Sequence, residues 1–372
     1  MEVPAGLLRP ALGGLVPYEP GKLVEEVQRE LGLERVVKLA SNEGPYGPFP
    51  AALAALEVTA ADLNRYPDGG AYRLRSALAE RHGVRFEEVA IGSGADGLID
   101  GISQATLDPG DQVVLGWPSF PSYAIYARKL GAEPVLVPLR KHRYDLEALL
   151  DAITEQTKLV YICYPNNPTG TMNTRAELEA YFGRVPPHVL TVLDQAYFEY
   201  IEDPEYVDGI EEYVKAGHRL LVLRTFSKIY GLAGLRVGYG VGPAELVVAL
   251  GKTRRAFDVT AAAQEAALAS IDRAGELELR RARNREGLRE LERILRAAGF
   301  EVAGPAVGNF LFADVGEDAQ TWFEALLRQG VIVRPLAGFG APNAVRVTVG
   351  TPDEHAFLAQ ALAQMRTTAG AS

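Results

Sequence analysis

The sequence has a single cysteine, Cys163, and only eight lysines among its 38 basic residues. One cysteine excludes an internal disulfide framework and fits a reducing compartment. Cys163 ends the apolar run "KLVYICYP", which predicts a buried strand residue. Because lysines are so scarce, one that lies in an apolar segment is a candidate for chemistry rather than for a solvated surface.

Metal ligands, targeting segments and excess positive charge are also lacking. The five histidines are scattered without metal-ligand spacing, so no metal site is expected. The N-terminus "MEVPAGLLRP" is not a signal peptide pattern, and no apolar run is long enough to span a bilayer. A net charge of −10 argues against a general nucleic-acid or anionic-membrane binder. These absences predict a cytoplasmic protein with small-molecule partners, no nucleic acid and no membrane.

Short apolar runs alternate with helical patterns along most of the 372 residues, which is typical of an α/β fold. Runs rich in Val, Ile and Leu predict strands covered on both faces, hence a mainly parallel central sheet flanked by helices. The sequence divides into an N-terminal arm (1–45), a large domain (46–262) and a smaller α/β domain (263–372) that the arm joins. Residues 263–298 are predicted as one long amphipathic helical region.

Polar residues follow several predicted strands, at the edge where α/β sheets bind ligands. "YPNNPTG" follows one strand and carries Asn167, and Asp194 ends the next. A plain turn and a helix cap are the structural alternatives. "GSGADGLID" (92–100) places glycines before a helix whose free N–H groups suit a phosphate, although glycine serves any tight connection. It is neither a Walker loop nor the six-residue dinucleotide fingerprint.

Lys228 lies in "RTFSKIYGLAGLRVGYG" (224–240), an apolar segment punctuated by glycines. Burying an unpaired ammonium is costly, so either the side chain extends to water or its amine is used in chemistry. An amine, a carboxylate, amide and phenol groups and a phosphate cradle, each at a strand end, are the groups that a pyridoxal phosphate site needs. The combination favours the chemical role, because a neutral amine in a desolvated pocket attacks aldehydes.

The chain resembles the fold type I pyridoxal-phosphate aminotransferases of classes I and II and, within them, the histidinol-phosphate aminotransferases. The resemblance covers nearly the whole chain, and the Ser-Lys-x-x-Gly-x-x-Gly-x-Arg pattern from Ser227 to Arg236 is its most specific element. The other matching segments are "LASNEGPYGP" (39–48), "NRYPDGG" (64–70), "YPNNPTG", "LDQAY", "NFLF" (309–312) and "VRVTVGTP" (345–352).

The resemblance implies a role for each matching residue around pyridoxal phosphate. Lys228 is implied to hold the cofactor covalently and to carry a proton, and Asp194 to pair with the ring nitrogen. A cis Asn167–Pro168 bond is implied, and Tyr66 is implied to reach the phosphate from the partner subunit of a homodimer. The other implied contacts are Asn167 and Tyr197 at the phenolic oxygen, Phe120 stacked on the ring, and Ala95, Asp96, Ser227 and Arg236 at the phosphate.

The resemblance also implies a substrate site at the smaller domain. Arg334 and Arg346 match basic residues that grip the anionic group of the substrate, and Tyr18 and Asn42 match residues that close over it. An exposed strand arginine is the structural alternative for both arginines. The implied reaction is ping-pong transfer of an amino group from L-histidinol phosphate to 2-oxoglutarate, giving imidazole-acetol phosphate and glutamate.

Some positions depart from the family pattern: Gly97 stands where relatives carry an acidic residue, Gln195 where many have Glu, and Phe120 where some have Tyr. None removes a catalytic group. The alternatives on this scaffold are an aromatic amino acid aminotransferase and, further off, a threonine-phosphate decarboxylase. Outside enzymes, the alternatives are a pyridoxal-phosphate-binding regulator, which the lack of a basic N-terminal extension disfavours, and a plain α/β binding protein.

Overall fold

The computed structural model describes residues 6–316 and 318–369. Its helices are α1 Val24–Leu31, α2 Pro50–Thr59, α3 Tyr72–His82, α4 Gly94–Thr106, α5 Ser122–Leu130, α6 Leu146–Asp151, α7 Arg175–Phe182, α8 Ala244–Thr253, α9 Ala261–Ser270, α10 Ala274–Ala297, α11 Ala319–Arg328 and α12 Pro352–Ala369. Its strands are β1 Val37–Lys38, β2 Val89–Gly92, β3 Gln112–Trp117, β4 Glu133–Pro138, β5 Thr157–Cys163, β6 Leu190–Asp194, β7 Leu220–Thr225, β8 Gly238–Val241, β9 Glu301–Val302, β10 Phe310–Asp314, β11 Val331–Ile332, β12 Arg334–Pro335 and β13 Ala344–Thr348.

The larger sheet has seven strands in the order β2-β8-β7-β6-β5-β3-β4. All neighbours are parallel except β8, which runs antiparallel to both β2 and β7. The middle strands β6 and β7 are buried along their whole length, because they are apolar on both faces and helices cover both sides. The predicted α/β class with a mainly parallel sheet is confirmed.

The smaller unit combines C-terminal strands with the N-terminal arm. Strands β12-β13-β10-β9 form an antiparallel sheet, and β1 of the arm pairs in parallel with β11. Val27 of α1 and Leu39 after β1 are buried in the same core as α10, α11 and α12. The described part of the arm therefore packs with the smaller unit, and its first five residues lie outside the described residues.

The helical region predicted over 263–298 is interrupted. Helix α9 ends at Ser270 and α10 begins at Ala274. The buried face of α9, including Ala263 and Ala267, lies in the core of the larger unit. Leu291 and Leu295, further along α10, lie in the core of the smaller one. Helix α9 therefore packs within the core of the larger unit, and α10 passes from that core into the core of the smaller unit.

The larger sheet brings several polar residues to one edge. Strands β5, β6 and β7 are parallel and end at Cys163, Asp194 and Thr225. Strand β2 runs in the same direction and ends at Gly92, directly before α4. In such sheets ligands bind beyond the carboxyl ends of the strands. None of the described helices has the length and apolarity that a membrane crossing requires.

Candidate active site

Lys228 lies just beyond β7, with its amine at a cavity of about 140 Å³. Its Nζ donates to the Ser41 carbonyl at 3.4 Å and lies 5.5 Å from the centre of the Tyr197 ring. Burial, followed by the nearby Arg346 and Arg236 cations, lowers the pKa of Lys228 to about 7 against the opposing influence of Glu43. A large fraction of the amine is therefore neutral near pH 7, which is the reactive form.

Asp194 ends β6 and is 5% exposed. Its Oδ2 accepts a hydrogen bond from the Tyr123 hydroxyl at 2.7 Å, and its Oδ1 accepts one from the Ala196 N–H at 3.0 Å. Burial raises the pKa of Asp194, and these two donors and the Lys228 cation oppose the shift. The site thus holds a desolvated carboxylate that a positively charged partner would stabilise.

Asn42 and Tyr197 form a hydrogen-bonded pair at the cavity, and Asn167 forms a second pair with Arg346. The Asn42 side-chain amide donates to the Tyr197 hydroxyl at 2.9 Å, and Arg346 donates to the Asn167 side-chain oxygen. Asn42 itself is fixed by Thr348, whose hydroxyl accepts from the Asn42 N–H at 2.9 Å. Four candidates predicted from the sequence, Asn42, Asn167, Tyr197 and Arg346, therefore lie around one cavity in the structure.

The Asn167–Pro168 bond expected to be cis is not among the cis peptide bonds of the described chain, and the cis bond of this segment is Tyr164–Pro165. The loop reverses instead through a turn in which the Gly170 N–H bonds the Asn166 carbonyl at 2.7 Å. Gly170 has φ +75°, a conformation in which glycine avoids a Cβ clash. The expectation about the bond was wrong, although Asn167 itself lies where it was predicted.

The N-terminus of α4 faces Arg236 and Ser227. The Arg236 guanidinium donates to the Ser227 hydroxyl at 3.4 Å. Gly94 has φ +73°, and a Cβ there would lie 2.7 Å from an Arg236 nitrogen, so only glycine lets the helix end approach this cation. Ala95 and Asp96 line the cavity from the first turn, where N–H groups have no partner within the helix. The corner presents hydroxyl, guanidinium and backbone donors for an anion.

The wall formed by the smaller unit carries two paired arginines. Arg334 and Arg346 are directly opposite each other in neighbouring strands β12 and β13. Arg346 is 3% exposed and donates to the Ala40 carbonyl at 2.6 Å, while Arg334 donates to the Glu19 carbonyl at 2.6 Å. The Nε of each is buried and lacks a hydrogen-bond partner in the described chain. Tyr18, a cavity-lining residue, lies 5.4 Å from the Arg334 guanidinium.

Phe120 lines the cavity between Tyr18 and Tyr123, with ring centroids 6.3 Å and 5.5 Å away. Tyr66, by contrast, is not brought to the cavity of its own chain. It is 82% exposed and stacks on Phe257, with centroids 4.6 Å apart. Every predicted site residue other than Tyr66 and Arg334 lines the same cavity.

The cavity also contains residues that the sequence patterns did not single out. Cys163 is 4% exposed, as predicted for a buried strand residue, but it also lines the cavity. Tyr123 of α5 does not line the cavity itself but donates to Asp194, which does, and its place three residues after Phe120 in "WPSFPSY" was the available signal. A larger cleft of about 340 Å³ runs along α10, but its lining combines arginines with acidic residues such as Glu202 and Asp203 and contains no lysine.

The donor set fits pyridoxal phosphate. The α4 end with Ser227 and Arg236 matches a phosphate, the buried Asp194 carboxylate matches a protonated ring nitrogen, and Lys228 supplies a partly neutral amine. Within the described residues no cluster of His, Cys, Asp or Glu could hold a metal ion. The cavity therefore suits this organic cofactor and offers no competing metal centre.

The family model "Aminotransferase class I and II" matches residues 34–362. The chain is 43% identical over 365 residues to histidinol-phosphate aminotransferase 2 of Pseudomonas fluorescens, covering 96% of this chain and 97% of that protein. It is 42% identical over 358 residues to histidinol-phosphate aminotransferase of Moorella thermoacetica, covering 96% and 92%.

Solved structures agree with the fold over nearly the whole chain. Histidinol-phosphate aminotransferase of Sinorhizobium meliloti, solved in complex with pyridoxal-5'-phosphate, has a TM-score of 0.87 at 28% identity and covers 96% of each chain. An aspartate aminotransferase double mutant of Thermus thermophilus has a TM-score of 0.84 at 25% identity, covering 96% and 98%. The predicted fold type I architecture is confirmed.

Proposed function

Because the chain belongs to the class I and II aminotransferases, we propose that it transfers the amino group of L-histidinol phosphate to 2-oxoglutarate. It is a pyridoxal-phosphate-dependent enzyme, and the proposed products are imidazole-acetol phosphate and glutamate. The observation that carries the choice of donor is the pair Arg334 and Arg346. The two residues are directly opposite each other in neighbouring strands, and each has a buried Nε without a partner in the described chain.

Two like charges opposite each other in a sheet are unfavourable, so an anion beside them would relieve the repulsion. A phosphate group accepts from several donors at once and matches planar guanidinium groups. Arg346 reaches the Asn167 side chain beside Lys228, whereas Arg334 lies further out beside Tyr18. We assign the arginine pair to the phosphate end of the substrate, with Tyr18 and Asn42 enclosing the rest.

When bound, pyridoxal phosphate supplies an electron-withdrawing ring that stabilises negative charge at the α-carbon of the substrate. Lys228 would hold the cofactor through its amine, and the same amine in its neutral form would accept a proton from the substrate Cα. Its low pKa suits this work, since a general base functions best when its pKa is close to the working pH.

The other side chains orient the cofactor and polarise its ring. Asp194 holds the proton on the ring nitrogen by offering a buried carboxylate. Asn167 and Tyr197 bind the phenolic oxygen, and Phe120 covers one face of the ring. Ala95 and Asp96, through their N–H groups, together with Ser227 and Arg236, bind the cofactor phosphate at the end of α4. The cavity walls leave Lys228 only partly exposed, and reduced contact with water strengthens each of these charge interactions.

The proposal also includes a homodimer in which Tyr66 completes the phosphate site of the partner subunit. Tyr66 is 82% exposed in the single chain and stacked on a half-exposed Phe257. Leu53, Val58 and Leu63 of the same region are 52%, 76% and 60% exposed. A cluster of exposed large apolar side chains is typical of a protein interface.

Visible absorbance of the cofactor-loaded protein tests the proposed function. Excess L-histidinol phosphate is expected to remove the absorbance of the bound cofactor, and 2-oxoglutarate to restore it. Phenylalanine and aspartate serve as parallel donors. Loss of absorbance chiefly with phenylalanine would keep the chemistry but replace the proposed donor, and a Lys228→Ala variant with full turnover would refute the aminotransferase mechanism itself.

A further inference from the structure

Tyr123 lies on α5 beneath the cavity and touches two of the residues assigned to the cofactor ring. Its hydroxyl donates to Asp194 Oδ2 at 2.7 Å, and its ring meets Phe120 edge-on with centroids 5.5 Å apart. Tyr123 is 0% exposed, so its hydroxyl has no contact with bulk water. One side chain thus contacts both the acid assigned to the ring nitrogen and the aromatic ring assigned to cover it.

Asp194 has few donors. The Tyr123 hydroxyl and the Ala196 N–H, at 2.7 and 3.0 Å, are its hydrogen-bond partners in the described chain. The backbone donor is fixed by the turn after β6 and cannot be varied by a side chain. The position and basicity of the carboxylate therefore depend on the Tyr123 hydroxyl more than on any other side chain.

We propose that Tyr123 is a positioning residue that acts through Asp194, holding its carboxylate ionised and directed at the ring nitrogen of the cofactor. The inference rests on the proposed function. Without the Tyr123 hydroxyl the carboxylate is a stronger base and competes with the ring nitrogen for the shared proton. A ring that has lost that proton withdraws electrons less well, so proton removal from the substrate slows.

A neighbouring tyrosine separates this role from packing. Tyr161 on β5 stacks on Tyr123 with ring centroids 4.4 Å apart and an angle of 12° between planes, and it is equally buried. The Tyr161 hydroxyl makes no hydrogen bond in the described chain. Ser103 lies close enough to lower the pKa of this hydroxyl, but not in the geometry of a hydrogen bond. Both rings fill the core, but only the Tyr123 hydroxyl reaches Asp194.

The titratable groups around the pair are few. Cys163 and Tyr144 lie near the Tyr123 hydroxyl, and Lys228 and Asp96 act on Asp194 from the other side. Burial raises the pKa of Cys163 and Tyr144 well above neutrality, so both stay uncharged near pH 7. The pKa of Lys228 is about 7, and measurements at fixed pH with the cofactor bound hold its protonation state constant.

The test compares Tyr123→Phe with the matched control Tyr161→Phe. Tyr123→Phe is expected to lower kcat about tenfold, the worth of one hydrogen bond to a charged group, with KM changed less than about twofold. It should also weaken cofactor binding, measured by titrating the apoprotein, and move the ¹⁵N resonance of ring-labelled pyridoxal phosphate toward that of the unprotonated ring. Tyr161→Phe should leave the resonance and the cofactor affinity unchanged.

An unchanged ¹⁵N resonance and cofactor affinity in folded Tyr123→Phe would overturn the proposal. If that variant does not fold, 3-fluorotyrosine at position 123 keeps the ring and makes the hydroxyl a better donor, and it should move the resonance the opposite way. A resonance that does not move would count against the proposal equally. Failure of the proposed function is distinguishable, since it would abolish turnover of L-histidinol phosphate in the unaltered protein while the resonance still responded to position 123.

Discussion

The pKa of Lys228 determines when its amine can react. A lysine with a pKa of about 7 is half neutral at pH 7, whereas an ordinary lysine is well under one per cent neutral. The reactivity of Lys228 in the apoprotein toward an amine-specific reagent, followed by mass spectrometry of the labelled peptide, should therefore rise with pH to a half-maximum near 7. The exposed Lys252, labelled in the same sample, serves as an internal reference for reagent activity.

Arg346 is the strongest cationic influence on this pKa, after burial itself. Replacing it by Gln removes a positive charge that disfavours the ammonium, so the midpoint for Lys228 should move to higher pH. A Lys228 midpoint near 10 in the unaltered protein would contradict both expectations.

Arg334 allows the donor specificity to be tested at a single side chain. It lies at the outer end of the arginine pair and is fixed by the Glu19 carbonyl. Arg334→Gln removes one charged donor from the assigned phosphate site, so KM for L-histidinol phosphate should rise about ten- to hundredfold. Phenylalanine has no phosphate, and steady-state kinetics with it as donor should change little. An equal loss with both donors would show that Arg334 supports the fold of the site and does not bind phosphate.

The sequence predicted residues that carry distinctive chemistry more readily than those that support them. Lys228, Asp194 and Arg236 stand out because a charged residue in an apolar, strand-ending segment needs an explanation. Tyr123 does not, since a tyrosine on a helix is usually explained by packing alone. The cis bond was assigned to the wrong proline because Pro165 and Pro168 lie three residues apart in one turn, and sequence alone does not say which bond the turn requires.

Helix α10 connects the two cores and fixes backbone beside the site. Arg280, 8% exposed, donates to the carbonyls of Ile229, directly after Lys228, and of Gly47, and its guanidinium lies 4.4 Å from the Phe49 ring centre. Arg281 donates to the Glu199 carbonyl at 2.6 Å, two residues after Tyr197. One helix therefore holds the segments that carry two of the site residues.

Arg280→Met is expected to leave these buried carbonyls without their donor and to lower the free energy of unfolding by about 3 kcal/mol. Urea unfolding of the apoprotein measures the loss. Arg283→Met is the matched control, since Arg283 is exposed on the same helix and its guanidinium lies over the Tyr46 ring, 4.6 Å from the ring centre. Equal stability of the two variants would show that α10 does not clamp the Lys228 segment.

Elements with a strong periodic pattern were predicted closely, and breaks between them were not. Strands such as β6 and β7 read directly from unbroken apolar runs that are buried on both faces. The break between α9 and α10 was missed because Ile271–Arg273 contains neither proline nor glycine. Ile271 packs into the larger core and turns the chain there, so tertiary packing and not local propensity ends the helix.

The single chain leaves its predicted phosphate ligand, Tyr66, outside its own cavity and 82% exposed, in a stretch of sequence that contains other exposed apolar residues. Leu53, Val58 and Leu63 cannot be buried by any described part of the same chain. Sequence composition gave no sign of this patch of exposed apolar surface along residues 53–66, because surface leucines are normal and only the folded chain shows which side chains stay exposed. Association of two chains would bury the patch and bring Tyr66 to a second subunit at once.

Mixing two inactive variants tests whether Tyr66 acts across that interface. Lys228→Ala lacks the reactive amine, and Tyr66→Ala lacks the proposed ligand from the partner. In a mixed dimer one site carries both defects, while the other combines an intact Lys228 with an intact Tyr66. Equal amounts, unfolded together and refolded, should recover about a quarter of the unaltered activity, because half the dimers are mixed and each has one complete site.

The assay is made at limiting pyridoxal phosphate, where loss of a phosphate ligand has its largest effect on the rate. Each variant refolded alone is the control, and size-exclusion chromatography with light scattering measures the assembly. If Tyr66 served its own chain, every mixed dimer would contain one site without the amine and one without the tyrosine, and no activity would return. Recovery of activity therefore requires that Tyr66 acts in the partner subunit. The same role would explain why Tyr66 is 82% exposed in a chain whose other cavity residues are already in place.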